Sequence, residues 1–181
     1  MKIFIAGPRS ISVLDEPVGE KLNNIYTKNF TVLVGDASGV DSAVQKYFYE
    51  LGYGNVVVFA CEGKARNNIG GWEVCSVDVP AKFKGFNYYA VKDRAMSEDA
   101  DYGFMIWNGE SRGTLNNIIN LVNLGKCSIV YLTTMKAFYN VKDIMHLQEL
   151  LALSSQNTRL HFERLYKPSS IPPVYKQISL F

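Results

Sequence analysis

The chain has 181 residues, 48% hydrophobic and 20% charged, and nineteen Lys and Arg against seventeen Asp and Glu leave a net charge of +2. That length suits one domain with a real core, and the composition excludes an intrinsically disordered chain. The near-neutral balance gives no electrostatic footprint for bulk nucleic-acid or membrane binding, so function has to be read from local motifs.

The first apolar run, Ile3–Ala6, stops at Gly7-Pro8 and is too short for a signal-peptide core. No stretch approaches the roughly 18–20 apolar residues of a spanning helix. Three cysteines without CxxC spacing suggest neither disulfides nor zinc, and His146 and His161 are not spaced as metal ligands. The expectation is a cytoplasmic protein with no metal site and no cofactor.

Lys2–Ala6 reads as a buried strand. Leu14, Val18, Leu22 and Ile25 recur at helical spacing, with Asp15 as N-cap and Pro17 in the first turn. Phe30–Val34 is a second strand. Val40, Ala43, Val44, Tyr47, Phe48 and Leu51 form one helical stripe closed by Gly52. Val56–Ala60 is a third strand. Residues 61–87 read as irregular, either a loop over a ligand site or an excursion capping the sheet edge. Arg66, Asn67, Asn68 and Trp72 there are placed to contact a base or ribose.

A helix follows over Tyr88–Asp99, a strand over Tyr102–Trp107, a helix over Thr114–Leu124 and a strand over Ser128–Leu132. The last predicted helix is Asp143–Leu153. Short apolar strands alternating with amphipathic helices predict an α/β, Rossmann-like doubly wound, mostly parallel sheet of five or more strands with helices on both faces. Residues 1–153 form the predicted nucleotide-binding domain. Residues 154–181 are left as a C-terminal tail that packs on the domain or a dimer partner.

Ligands of such sheets bind beyond the carboxyl ends of the strands. Three strand ends are rich in glycine and small polar residues: Gly7, Arg9 and Ser10; Gly35, Asp36, Ser38, Gly39 and Asp41; and Asn108, Gly109, Glu110, Ser111, Gly113 and Thr114. The last two lead into helices, whose unpaired N–H groups suit a phosphate. Arg9, Arg94 and Arg112 are candidate charge partners. There is no GxGxxG after the first strand and no GxxxxGK[ST], which disfavours a standard dinucleotide fold or a P-loop NTPase.

The run Gly35-Asp36-Ala37-Ser38-Gly39-Val40-Asp41-Ser42-Ala43 resembles the GGAxGxDxxA motif of the SLOG superfamily, in particular its YspA-like branch. Lys92-Asp93-Arg94-Ala95-Met96 with Ala100-Asp101 resembles that branch's RDxxM…aD segment, and Trp107–Thr114 its WDGxSxGT loop. The superfamily includes DNA-processing protein A, the Lonely-guy phosphoribohydrolases and sensor domains for NAD-derived signals. The resemblance implies a nucleotide-binding fold, often dimeric, with Gly35, Ser38, Gly39 and Asp41 in one ligand loop. It also implies Gly109, Ser111, Gly113 and Thr114 at the phosphate and Arg94 beside it. The phosphoribohydrolases carry PGGxGTxxE, and the position of the acting glutamate is Asn117 here. An amide is neither a carboxylate nucleophile nor a general base.

Three readings follow. The first is a binding protein for a nucleotide or nucleotide-derived small molecule, as sensor, carrier or sequestering protein. The second is an enzyme at an N-glycosidic or phosphoribosyl bond, with Glu110 or Asp41 as the acting carboxylate and Arg94 on the phosphate. The third, disfavoured by the low net charge, is single-stranded DNA binding with stacking on Trp72, Trp107 or tyrosines. The expected partners are a small phosphate-bearing ligand and a second copy of the chain, not nucleic acid or membrane.

Overall fold

Alternation within the buried strands sorts their side chains onto two faces, and each face acquires its own helices. The computed structural model describes residues 1–166. In chain order the elements are β1 (Lys2–Ala6), α1 (Glu16–Thr27), β2 (Thr31–Gly35), α2 (Val40–Glu50), β3 (Val56–Cys61), β4 (Glu73–Val77) and α3 (Phe86–Asp99). They continue with β5 (Tyr102–Trp107), α4 (Arg112–Asn123), β6 (Ser128–Leu132), β7 (Ala137–Val141), α5 (Ile144–Ala152) and α6 (Gln156–Leu165).

The strands form one seven-stranded sheet of order β4-β3-β2-β1-β5-β6-β7. All neighbours are parallel except β6 and β7. Ile3 and Ile5 of β1 join Val18, Leu22 and Ile25 of α1 and Val40, Val44 and Phe48 of α2 in the core of one face. Phe4 and Ala6 join Met96 of α3, the apolar side of α4, and Leu147 and Leu150 of α5 on the other. The fold is thus α/β, Rossmann-like and doubly wound. The strand order reverses between β1 and β5, and the loops after these two strands flank the crevice that this reversal opens.

Two strands and a helix lie where none was expected. β4 crosses the stretch read as irregular and pairs with β3 at the sheet edge. Its Glu73, Val74, Cys75, Ser76 and Val77 are none of them fully buried, so it lacks the apolar run of the inner strands. β7 is likewise a half-covered edge strand, joined to β6 by a short turn in which Lys136 takes a positive φ. α6 begins the segment read as a tail. Ser155 caps it, and Phe162 buries its ring against the α4–α5 side. Prolines 168, 172 and 173 and the apolar end Ile178–Phe181 lie outside the described residues, as does the expectation that this end packs on the domain or a dimer partner.

Asp15 is the N-cap of α1, yet its carboxylate accepts from the Tyr131 hydroxyl at 2.8 Å instead of capping the helix. Among the described residues no helix is long and apolar enough to cross a membrane.

Candidate functional site

β1 ends at the crevice, and Gly7 lets the chain leave it without collision. A Cβ there would lie 2.6 Å from Val40 Cγ2 and 2.7 Å from the Ile106 carbonyl oxygen. Gly39, at φ +79°, closes the β2–α2 turn against the backbone of Arg9, which a Cβ would meet at 2.5 Å. These glycines therefore lock the loops after β1 and β2 together. Gly35 makes room for ions: a Cβ there would collide with the Asp41 carboxylate and lie 2.9 Å from Lys92 Nζ.

Those ions form a largely buried cluster at the floor of the crevice, with Arg66 and Asp93 partly exposed. Arg66 Nη2 donates to Asp36 Oδ1 at 2.6 Å, and its Nε and backbone N–H donate to Asp36 Oδ2 at 3.0 and 3.1 Å. Lys92 of α3, 4% exposed, donates to Asp93 at 2.7 Å and lies 3.9 Å from Asp36. Asp41, in the first turn of α2, accepts from the Ala37 N–H at 3.1 Å. Two cations thus face three carboxylates, one negative charge in excess when all are ionised.

The environments push these groups apart. Burial raises Asp36, but the hydrogen bonds from Arg66 outweigh it and hold its carboxyl below the usual range. Burial works against the Lys92 charge, yet Asp93, Asp41 and Asp36 keep it above its ordinary value. Asp41 is buried, and desolvation drives its carboxyl up to about 6, against the pull of Lys92.

The opposite wall is the start of α4. Asn108 Oδ1 accepts from the N–H groups of Glu110 and Ser111 at 3.1 and 2.8 Å and turns the loop. Ser111 Oγ caps the helix, accepting from the Thr114 N–H at 3.4 Å and its hydroxyl at 3.0 Å. The N–H groups of Arg112 and Gly113 are first-turn groups without intrahelical acceptors. From behind, Thr158 of α6 donates to the Gly109 carbonyl at 2.8 Å, and the fully buried Trp107 donates its indole N–H to the Ser111 carbonyl at 3.1 Å.

Between the two walls lies a cavity of about 650 Å³. Gly7, Arg9, Ser10, Asp41, Asn108, Glu110, Ser111, Gly113 and Thr114 line it, as do Arg66, Arg112 and Asn117. Gly35, Asp36, Ser38, Gly39 and Gly109 do not line it; Gly35, Asp36 and Gly39 support its floor and loops, and Ser38 is exposed. Asn117 is 3% exposed, and its Oδ1 has no hydrogen-bond partner.

Arg94 is a correction. Its side chain is 73% exposed and pairs with Glu98 at 2.9 Å, away from the cavity. Residues two apart on a helix project about 200° apart, so Lys92 facing inward turns Arg94 outward. The cavity takes Phe86, Tyr89, Lys92, Asp93 and Met96 from α3 instead. The spacing of Tyr89, Lys92, Asp93 and Met96 at i, i+3, i+4 and i+7 is the signal that marks this inward face. Arg66 and Arg9 both lie over the Tyr89 ring, at 4.4 and 5.2 Å from its centroid.

Asn67, Asn68 and Trp72 are spent on structure. Asn67 Nδ2 donates to the Asp36 carbonyl, Asn68 brackets Trp72, and the Trp72 indole donates to the Tyr53 carbonyl at 2.8 Å. Trp107, fully buried, offers no face for stacking, and Trp72 is half-buried against the core.

Comparison with known proteins bears on the fold. No protein-family model and no curated protein matches the chain. Among solved structures it is similar to DNA processing protein A from Helicobacter pylori, with a TM-score of 0.58 at 12% identity over 91% of this chain and 80% of that one. The two share the fold at a distance. That structure is described for its single-stranded DNA binding mode, which is a property of that protein. The expectation that nucleic acid is not a partner gains nothing from it.

Proposed function

We propose that this chain binds a small phosphate-bearing ligand, a nucleotide or nucleotide derivative, in the cavity between β1, α3 and α4, as a sensor, carrier or sequestering protein. The observation that carries the reading is the start of α4. Its first-turn residues Arg112, Gly113 and Thr114 line the cavity together with Arg9, and neither arginine has an ion-pair partner among the described residues. A helix N-terminus with two guanidiniums outside any ion pair among the described residues suits one small anion. SLOG kinship, proposed here on the motifs, agrees with the shared fold, and the homodimer it implies is tested by sedimentation.

The test is to denature the purified protein and identify any released nucleotide by mass spectrometry, then titrate nucleotides by calorimetry. Arg9→Ala and Arg112→Ala are each expected to weaken binding about tenfold or more, as loss of a charge-assisted hydrogen bond does. Affinity falls as salt rises. No released nucleotide and no heat from any nucleotide would remove the reading.

A second reading, an N-glycosidic hydrolase or transferase, is favoured by Asp41. A cavity carboxyl pushed up to about 6 by burial suits proton transfer, which Asn117 cannot perform. Free base released from a nucleotide panel and lost in Asp41→Asn but kept in Glu110→Gln supports it. No product at high protein concentration eliminates it. Single-stranded DNA stands as the competing ligand. Salt-sensitive binding of a labelled oligonucleotide, read by fluorescence anisotropy and left intact in Arg9→Ala and Arg112→Ala, would replace the small-molecule reading.

A further inference from the structure

Asn117 is the one cavity-lining side chain among the described residues that carries a buried polar atom without a partner. It lies in α4, three residues beyond Thr114, on the side that faces the cavity. Buried polar groups in folded proteins are nearly always satisfied, and an orphan costs stability. The Asn117 Oδ1 has no hydrogen-bond partner within the chain, so a ligand that reaches this wall of the cavity would meet an amide oxygen with its acceptor capacity unused. An amide offers one acceptor and two donors, and a hydroxyl is both donor and acceptor.

Its place relative to the anion site narrows the choice. Three residues of helix rise only about 4.5 Å, and helical side chains lean toward the N-terminus. The Asn117 amide therefore sits close to the first-turn N–H groups at which a phosphate would rest. In a nucleoside 5′-monophosphate the donors nearest the phosphate are the sugar hydroxyls, whereas the base edge is farther off.

We infer that Asn117 is a specificity residue that reads a ribose hydroxyl of the ligand whose phosphate occupies the start of α4. The inference rests on the nucleotide-binding reading above. It assigns the amide a positive role: at this position the chain recognises the sugar. The ligand class is then a ribonucleotide, not its deoxygenated counterpart. A site built to hydrogen-bond a hydroxyl rejects the analogue that lacks it, because its own polar group is left unpaired.

Calorimetric titration of the four ribonucleoside 5′-monophosphates against their 2′,3′-dideoxy counterparts tests this, on the wild type and on Asn117→Leu. The wild type is expected to prefer at least one ribonucleotide over its dideoxy form by tenfold or more. In Asn117→Leu that preference falls to within about threefold, because the ribonucleotide weakens while the dideoxy form does not. Leucine replaces an unsatisfied group by an apolar one of similar size, so the variant is expected to melt no lower than the wild type. Asn117→Asp, which keeps an acceptor, is expected to retain the preference, and this guards against a folding artefact in the leucine variant. Equal affinity of the wild type for both forms overturns the hydroxyl assignment alone, and so does a preference that survives in Asn117→Leu. Absence of binding by any of the eight compounds overturns the nucleotide reading itself.

Discussion

Replacing Lys92 by methionine is expected to destabilise the protein by about 3–5 kcal/mol, the range for removing one partner of a buried ionic group. Methionine keeps much of the side chain's volume but none of its charge. Asp93, now without its 2.7 Å partner, and Asp36 and Asp41 behind it would repel one another across the cavity floor. Arg66 is the remaining cation, and it is already forked onto Asp36. A loss of this size is a large share of the 5–15 kcal/mol typical of a domain. Urea denaturation at pH 7 measures it. Partial recovery is expected in Lys92→Met/Asp41→Asn, because the second change removes one of the stranded charges. An unchanged midpoint for Lys92→Met would mean that the cluster is not the keystone of the cavity floor.

Asp41→Asn is expected to act in the opposite direction. The Asp41 carboxyl titrates near 6 in the folded chain against 3.8 unfolded, chiefly through burial. A carboxyl with a raised folded value binds more protons folded than unfolded between those two values. Its contribution to stability is therefore present in acid and is lost as pH rises through that window. The gap corresponds to about 3 kcal/mol, an order-of-magnitude figure, sacrificed above pH 7. Asparagine can still accept from the Ala37 N–H, so the variant should be the more stable protein at neutral pH. The difference in unfolding free energy between wild type and variant should shrink toward acid. Denaturation curves from pH 4 to pH 8 read it directly, and a difference that does not vary with pH would refute the assignment. Stability given up at a cavity-lining residue accords with a role for Asp41 at the site.

The parts of the fold legible in the sequence are those in which local pattern and burial agree. β1, β5 and β6 fall on the predicted residues because each is an apolar run bounded by a glycine, a polar turn or the chain start. α1 and α2 follow their apolar stripes. β4 and β7 were hidden because an edge strand is covered on fewer sides and need not be apolar throughout. α6 was hidden because its contact with α4 rests on a few positions, Thr158 and Phe162 among them, in an otherwise polar segment.

The candidate site shows the same division. The glycine-rich strand ends are visible as composition, but composition does not distinguish a glycine that packs from one that cradles a ligand. Gly35 and Gly39 are required by neighbouring atoms, whereas a Cβ at Gly113 would meet nothing within 4 Å. Arg94 is suggested by the suitability of arginine for phosphate and by the motif resemblance. The helix phase decides otherwise, and a buried lysine becomes intelligible only once Asp36, Asp41 and Asp93 are seen around it. Asn117 was legible as a departure from a motif, but not as an amide without a partner.

The central claim is that the start of α4 and Arg9 hold the anionic part of a small ligand. Amide chemical-shift mapping of the isotope-labelled protein with nucleoside 5′-monophosphates tests it most directly. Saturable shifts are predicted at Arg112, Gly113 and Thr114 and at Arg9, with little change at the far end of the sheet around Asn55 and Lys126. Saturable shifts confined to residues away from α4 and the loop after β1, or none at millimolar nucleotide, would contradict the account.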